Sequence, residues 1–270
     1  MSNAKKPKRP ASPNASDHGL NAESADGERI AKVLARAGVA SRREAERLIE
    51  QGIVTVDGVT LETPAVKVRP GQDIRVDGTR IGEPAPARLW RFHKPAGLVT
   101  THNDPQGRPT VFDAVADRLP RVISVGRLDL TTEGLLLMTN DGGLARALEA
   151  PSSGWTRRYR VRAYGRTSEK ALHGLRDGLT VEGVTYGPIR AEIDSVQGGN
   201  TWLKIAINEG KNREVRAICR SLGLTVNRLI RVSFGPFQLG RLGKNELEEI
   251  PRKQLREQLG AKLCTTLGIN

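Results

Sequence analysis

The sequence is poor in the residues that staple a fold covalently or through metal. Two cysteines, Cys219 and Cys264, occur in 270 residues, and neither lies in a C-x-x-C pair. That excludes a disulfide framework and predicts a reducing compartment. Cys219 stands in an apolar helical pattern and is expected to be buried and inert. The four histidines, at positions 18, 93, 102 and 173, show no metal-ligand spacing, so no structural zinc site is expected. Apolar runs are short. A stretch such as Gly134 to Met138 falls far below the ~20 residues that a bilayer-spanning helix needs, so no membrane association is predicted. Lys5, Lys6, Lys8 and Arg9 open the chain, but no apolar segment follows them. A secretory signal is therefore not expected, and the predicted location is cytoplasmic. Neither an internal repeat nor a nucleotide-binding glycine loop is present.

What the chain has in excess is positive charge: 43 Lys and Arg against 30 Asp and Glu, or +13 at pH 7. A polyanionic partner follows, because basic side chains displace the counterions condensed on phosphates. The basic residues recur inside patterned segments as well as in the N-terminal stretch, which favours nucleic acid over a merely solubilising tail.

Residues 1–28, rich in Ser, Asn, Pro, Ala and charge, lack periodicity and read as a disordered basic tail. From Arg29 the pattern turns helical. Ile30, Val33, Leu34 and Ala37 share one face, and Gly38 is placed to end the helix. Ser41-Arg42-Arg43-Glu44 then forms a capping box for a second helix, with Ala45, Leu48 and Ile49 facing inward. Short strands with turns at Asp57-Gly58 and Asp77-Gly78 complete a unit over residues 29–78. It leaves Lys32, Arg36, Arg42, Arg43 and Arg47 off the apolar face as candidate RNA contacts. Residues 79–87, with two prolines and a glycine, read as a linker. Over residues 88–245 strands dominate, punctuated by a few helices without strict βαβ alternation, and residues 246–270 read as a charged C-terminal tail. The predicted class is α+β: a small αα-plus-sheet unit followed by a larger, largely antiparallel mixed sheet.

The chemistry concentrates in Gly126-Arg127-Leu128-Asp129-Leu130-Thr131-Thr132-Glu133. Asp129 lies in a loop between two apolar strands, beside Arg127 and the hydroxyls of Thr131 and Thr132. Adjacent positive charge keeps a partly desolvated carboxylate ionised, which suits a nucleophile or a general base. Taken alone, an Asp in such a loop is more often a turn former. No clustered carboxylates able to hold two metal ions accompany it, which argues against a metal-dependent nuclease.

The string resembles the catalytic motif of the pseudouridine synthases. Phe92-His93-Lys94-Pro95-Ala96-Gly97, Arg158-Tyr159-Arg160-Val161 and Glu209-Gly210-Lys211-Asn212-Arg213-Glu214-Val215-Arg216 resemble that family's other motifs in the same order. The stretch from Arg29 to Gly78 resembles its S-four-type RNA-binding domain, and the likeness extends over roughly residues 29–245. The resemblance implies conversion of a uridine of ribosomal RNA, in free form or in a pre-ribosomal particle, to pseudouridine by a monomeric enzyme. No atoms are added, so neither a cofactor nor a metal is implied. Asp129 would be the essential carboxylate, Arg216 its cationic partner and Tyr159 the residue against the reacting base. Leu229 would pack under the uracil, and Arg127, Lys211, Arg213 and Arg108 would bind substrate. The Asn103-Asp104-Pro105-Gln106-Gly107-Arg108 loop most resembles the branch acting on the large subunit, with the small subunit as the alternative. Glu133 and Ala217 depart from residues common in relatives. A non-catalytic ribosome-assembly factor that keeps the fold is the competing reading.

Overall fold

The computed structural model describes residues 27–82, 85–267 and 269. The segment expected to be a disordered tail lies almost entirely outside them. The chain divides into two compact units, Met1–Glu83 and Pro84–Asn270.

In the first unit a short strand β1 (Glu28–Arg29) leads into α1 (Ile30–Arg36) and α2 (Arg42–Glu50). Ile30, Leu34, Ala45 and Ile49 are fully buried, as the helical spacing requires. They pack against Val54, Val56, Leu61 and Ile74. The Ser41 hydroxyl accepts the Glu44 N–H at 3.1 Å. The reciprocal half of the capping box is not made, because the Glu44 carboxylate pairs with Arg47 one turn on. The strands β2 (Val54–Val56), β3 (Val59–Thr60), β5 (Ile74–Val76) and β6 (Thr79–Arg80) form an antiparallel sheet in the order β3-β2-β5-β6, while β4 (Lys67–Val68) pairs with β1. Asp57-Gly58 and Asp77-Gly78 each carry two successive positive φ values (50° and 81°; 48° and 70°), the twist that two-residue hairpins need. The second of these turns corrects the expected linker at 79–87. A hairpin turn must feed a return strand, so Thr79 and Arg80 pair with Val76 and Arg75, and Ile81 packs on the core of the unit.

The second unit opens with β7 (Leu89–Lys94), β8 (Ile123–Val125), β9 (Thr132–Thr139) and α3 (Gly142–Glu149). Asp141 caps α3 by accepting the Gly143 and Leu144 N–H groups at 2.7 and 2.8 Å. Then come β10 (Arg157–Tyr164), α4 (Glu169–His173), the hairpin β11 (Leu179–Val181) and β12 (Val184–Tyr186), β13 (Arg190–Gln197) and β14 (Asn200–Ile207). The chain continues with α5 (Glu214–Ser221), β15 (Thr225–Phe234), β16 (Phe237–Gln238), β17 (Leu247–Glu249), α6 (Arg252–Leu259) and α7 (Ala261–Leu267). The main sheet runs β13-β14-β10-β15-β9-β7-β17, with β16 on β15 and β8 on β9. Its ladders are antiparallel except where β15 meets β9 in parallel, with Leu229 opposite Thr132 and Arg231 opposite Gly134. This junction joins a half cored by Tyr159, Val161, Ile205 and Ile218 to a half cored by Leu135, Leu137, Leu144 and Phe237.

The charged stretch 246–270 is not a tail. β17 adds an edge strand to β7, and Ile250, Leu255, Leu259, Cys264 and Ile269 enter the core beside Leu135 and Leu137. The high charge of this stretch masks apolar residues at helical spacing, whose burial holds α6 and α7 on the sheet. Among the described residues no helix is long and apolar enough to cross a membrane.

Candidate active site

Asp129 stands half-buried three residues before β9, at the mouth of the parallel junction. The loop that carries it is fixed through its backbone. Asp129 O accepts the Thr132 N–H at 3.0 Å, Leu130 O accepts the Gly97 N–H at 2.8 Å, and Leu128 O accepts the Thr100 hydroxyl at 2.8 Å. Lys94, the last residue of β7, is fully buried beneath the loop. Its Nζ donates toward Pro95 O at 3.0 Å, Asp129 O at 3.1 Å, Thr132 O at 2.9 Å and Leu130 O at 3.4 Å. Burial pulls the Lys94 ammonium down to about 8, against the opposing pull of Asp129 and Glu133. In the sequence Lys94 stands out only as a member of the Phe92-to-Gly97 motif. A lysine there reads as a surface residue, and nothing local shows carbonyls converging on it from some 35 residues away.

Two features lock β9 against β15. The buried Glu133 carboxylate accepts Arg228 Nε at 2.9 Å and pairs with Lys244 at 2.9 Å, and hydrogen bonding to Arg228 holds it at about 2. Gly134 adopts φ +107°, and a Cβ there would lie 2.7 Å from the Arg231 nitrogen, inside the neighbouring strand. Only glycine allows this approach.

A cleft of about 840 Å³ opens over the junction and brings together Asp129, Arg127, Tyr159, Leu229, Lys211 and Arg213. Six residues predicted from separate motifs thus share one cavity. Tyr159 is 8% exposed, and Leu229 forms part of the apolar wall beside it. Arg157 and Arg231, which sequence reasoning did not single out, also line the cleft. Arg231 is buried and donates its Nε to Leu135 O at 2.8 Å. The Asp129 carboxylate accepts no hydrogen bond from any described residue, although the cleft around it is basic.

Arg216, on α5, directs a terminal nitrogen to the Thr131 hydroxyl at 2.8 Å rather than to Asp129. Burial lowers its pKa while the Asp129 charge raises it, so the guanidinium is within electrostatic reach of the carboxylate. Its Nε is buried without a partner. Lys211 is engaged by Thr185 O at 2.6 Å and by Glu209 at 2.8 Å. Glu214 lines the cleft at 3% exposure, and burial, reinforced by the charge of Glu209, pushes it up to about 7. Arg108 is not brought to this cleft. Its side chain is clamped bidentately by Asp104 at 2.7 and 3.0 Å. Burial pushes the Cys219 thiol up to about 12, in keeping with an inert residue.

In the first unit Lys32 and Arg36 are paired with Glu28, and Arg47 with Glu44. Arg42 and Arg43 stand exposed in the first turn of α2.

Known proteins resemble this chain over most of its length. Residues 88–221 match the RNA pseudouridylate synthase family, and residues 28–74 match the S4 domain. An uncharacterized RNA pseudouridine synthase of Rickettsia felis is 45% identical over 230 residues, spanning 85% of this chain and 100% of that protein. Ribosomal large subunit pseudouridine synthase B of Salmonella typhi is 43% identical over 246 residues, spanning 85% of this chain and 82% of its own length. A crystal structure of a pseudouridylate synthase superposes with a TM-score of 0.61 at 23% identity, covering 86% of this chain and 99% of that one, and so shares the fold.

Proposed function

The chain belongs to the RNA pseudouridine synthase family, and we propose that the uridine it isomerises lies in ribosomal RNA of the large subunit. The activity on RNA follows from membership. The choice of target is supported by 43% identity to the Salmonella typhi large-subunit enzyme across most of both chains. On this reading the protein acts as a monomer in the cytoplasm during ribosome biogenesis.

The observation that carries the mechanism is the carboxylate of Asp129, hydrogen-bonded by none of the described residues, in a basic cleft beside a buried tyrosine and an apolar wall. The target nucleotide leaves its stack at a cost of a few kcal/mol, which basic and apolar contacts in the cleft offset. Uracil then rests against Leu229, with the Tyr159 ring beside it. Arg127 and Arg213 meet the flanking phosphates. Asp129 drives cleavage of the bond between the sugar carbon and the ring nitrogen, by attack at carbon or by removal of a sugar proton. The base turns over, the sugar carbon bonds to ring C5, and the C5 proton departs. Arg216 supports Asp129 from within electrostatic reach, and the two come together directly when the Thr131 contact yields.

Asp129→Asn tests the assignment. The variant is expected to fold and bind RNA like the wild type but to release no tritium from RNA labelled at uracil C5. Release near the wild-type rate would refute the role given to Asp129. Pseudouridine mapping of large-subunit RNA from cells with and without the protein tests the target, which fails if the missing modification lies in the small subunit.

A further inference from the structure

The sheet half that carries Tyr159 has a second face. Along β10, Tyr159, Val161 and Ala163 are buried, whereas Arg158, Arg160 and Tyr164 are exposed. Side chains alternate across a strand, so the arginines point away from the catalytic cleft. The register then builds a basic surface. Arg158 and Arg190 flank Ala206 from either side, and that residue is too short to fill the space between them. In the next row Arg160 stacks over the Trp202 ring at 4.4 Å. Arg160 and Lys204 share Asp194 at 3.0 and 3.1 Å. Further along, Arg162 stands directly opposite Arg228. A groove of about 1010 Å³ runs past Arg158 and Arg190 toward His173 and Arg176.

Arg158, Arg162 and Arg190 have no ion-pair or hydrogen-bond partner for their side chains among the described residues. Arg162 faces Arg228, but that guanidinium is neutralised by Glu133, so the open charge in this row is that of Arg162. Unpaired guanidinium groups suit phosphate oxygens, which they bind as a fork. The same face presents Tyr164 at 63% exposure. Arginines interleaved with an exposed aromatic on a sheet surface are the elements that hold single-stranded RNA, through its phosphates and through stacked bases. From Arg158 to Tyr164 the strand spans about 20 Å, enough for several nucleotides.

We propose that this outer face is a second RNA-binding surface. It holds a single-stranded segment of the substrate other than the one that enters the cleft, with phosphates on Arg158, Arg162 and Arg190 and a base on Tyr164. The proposal rests on RNA being the substrate but not on which RNA is modified.

The test uses the full chain and a large-subunit ribosomal RNA transcript. For Arg158→Gln/Arg162→Gln/Arg190→Gln, the slope of log affinity against log salt is expected to be shallower by about 2, at roughly 0.7 per phosphate released. Affinity near ~0.15 M salt should fall about tenfold. The corresponding triple lysine variant, which keeps the charge, should retain the wild-type slope. A transcript carrying 4-thiouridine should crosslink to Tyr164. The substituted side chains are exposed or project from the outer face, so folding is little affected. A wild-type slope in the glutamine variant, or crosslinks confined to the cleft residues, would overturn the proposal. Both readouts record binding without turnover. A failure to isomerise uridine would therefore count against the family reading and leave this result standing.

Discussion

Replacing Lys94 by methionine perturbs the catalytic loop from underneath, without touching the cleft. The thioether fills the lysine stem's channel but donates nothing, so the carbonyls of Pro95, Asp129 and Thr132, held at 2.9–3.1 Å, lose their donor. Each hydrogen bond from the ammonium contributes about 2 kcal/mol, although Asp129 O keeps the Thr132 N–H as a second donor. Removing the buried charge works in the other direction. A folded pKa of about 8 against an ordinary 10.5 means that the charged form is disfavoured by about 3 kcal/mol, which the variant recovers. The net expectation is a loss of about 3 kcal/mol at pH 7. The pH dependence has a defined sign. Between pH 8 and 10.5 the unfolded chain keeps a proton that the folded chain has released, so wild-type stability rises with pH through that window. The methionine variant lacks this gain, and the gap between the proteins should widen by up to about 3 kcal/mol. Urea melts followed by tryptophan fluorescence read this cleanly, because Trp90, Trp155 and Trp202 all lie in the second unit. A variant as stable as wild type at pH 7, or a gap that narrows above pH 8, would refute the reasoning.

Two further outcomes follow from the same geometry. Glu214, raised to about 7, takes up a proton on folding, so its contribution is present below pH 4.5 and is lost as pH rises through 7. Glu214→Gln should therefore stabilise the protein by about 3 kcal/mol at pH 8 and change little at pH 4; equal effects at both pH values in thermal melts would contradict the assignment. Gly134→Ala places a methyl group inside the Arg231 backbone at a φ that alanine avoids. It should cost more than about 3 kcal/mol and abolish soluble catalytic-unit folding, so a circular dichroism melt close to wild type would count against the close approach of β9 and β15.

Local signals in the sequence proved faithful where a short segment decides its own structure. The helical spacing of Ile30 and Leu34 and the Ser41 cap both describe the observed elements. The separated motifs around Asp129, Tyr159, Lys211 and Leu229 meet in one cleft, since each sits at the end or on one face of an element recognisable by itself. Less legible were features set by long-range geometry. Lys94 and Glu133 look like surface charges, and only the packing of β7, β9 and β15 buries them among partners supplied by distant segments. The 246–270 stretch reads as solvated because charge outweighs its apolar residues, yet Leu255 and Leu259 cover Leu135 and Leu137. Arg108 reads as a free cation, but Asp104, four residues before it, satisfies the guanidinium within the loop itself.

The way the Asp129 loop is held bears on why a carboxylate can work there at all. A catalytic acid must be positioned, yet every hydrogen bond to its oxygens stabilises the resting anion and weakens it as base or nucleophile. Here the positioning acts on the main chain. Lys94, Gly97, Thr100 and Thr132 grip the carbonyls of residues 128–132, and Arg216 grips the Thr131 side chain. The loop is thereby fixed in space while both carboxylate oxygens stay open to whatever enters the cleft. A positive charge lies below in Lys94 and another beside it in Arg216, near enough to sense the acid without capping it. Fixing the backbone and leaving the side chain unengaged places the interaction energy where a substrate can claim it, in the bound state and beyond it.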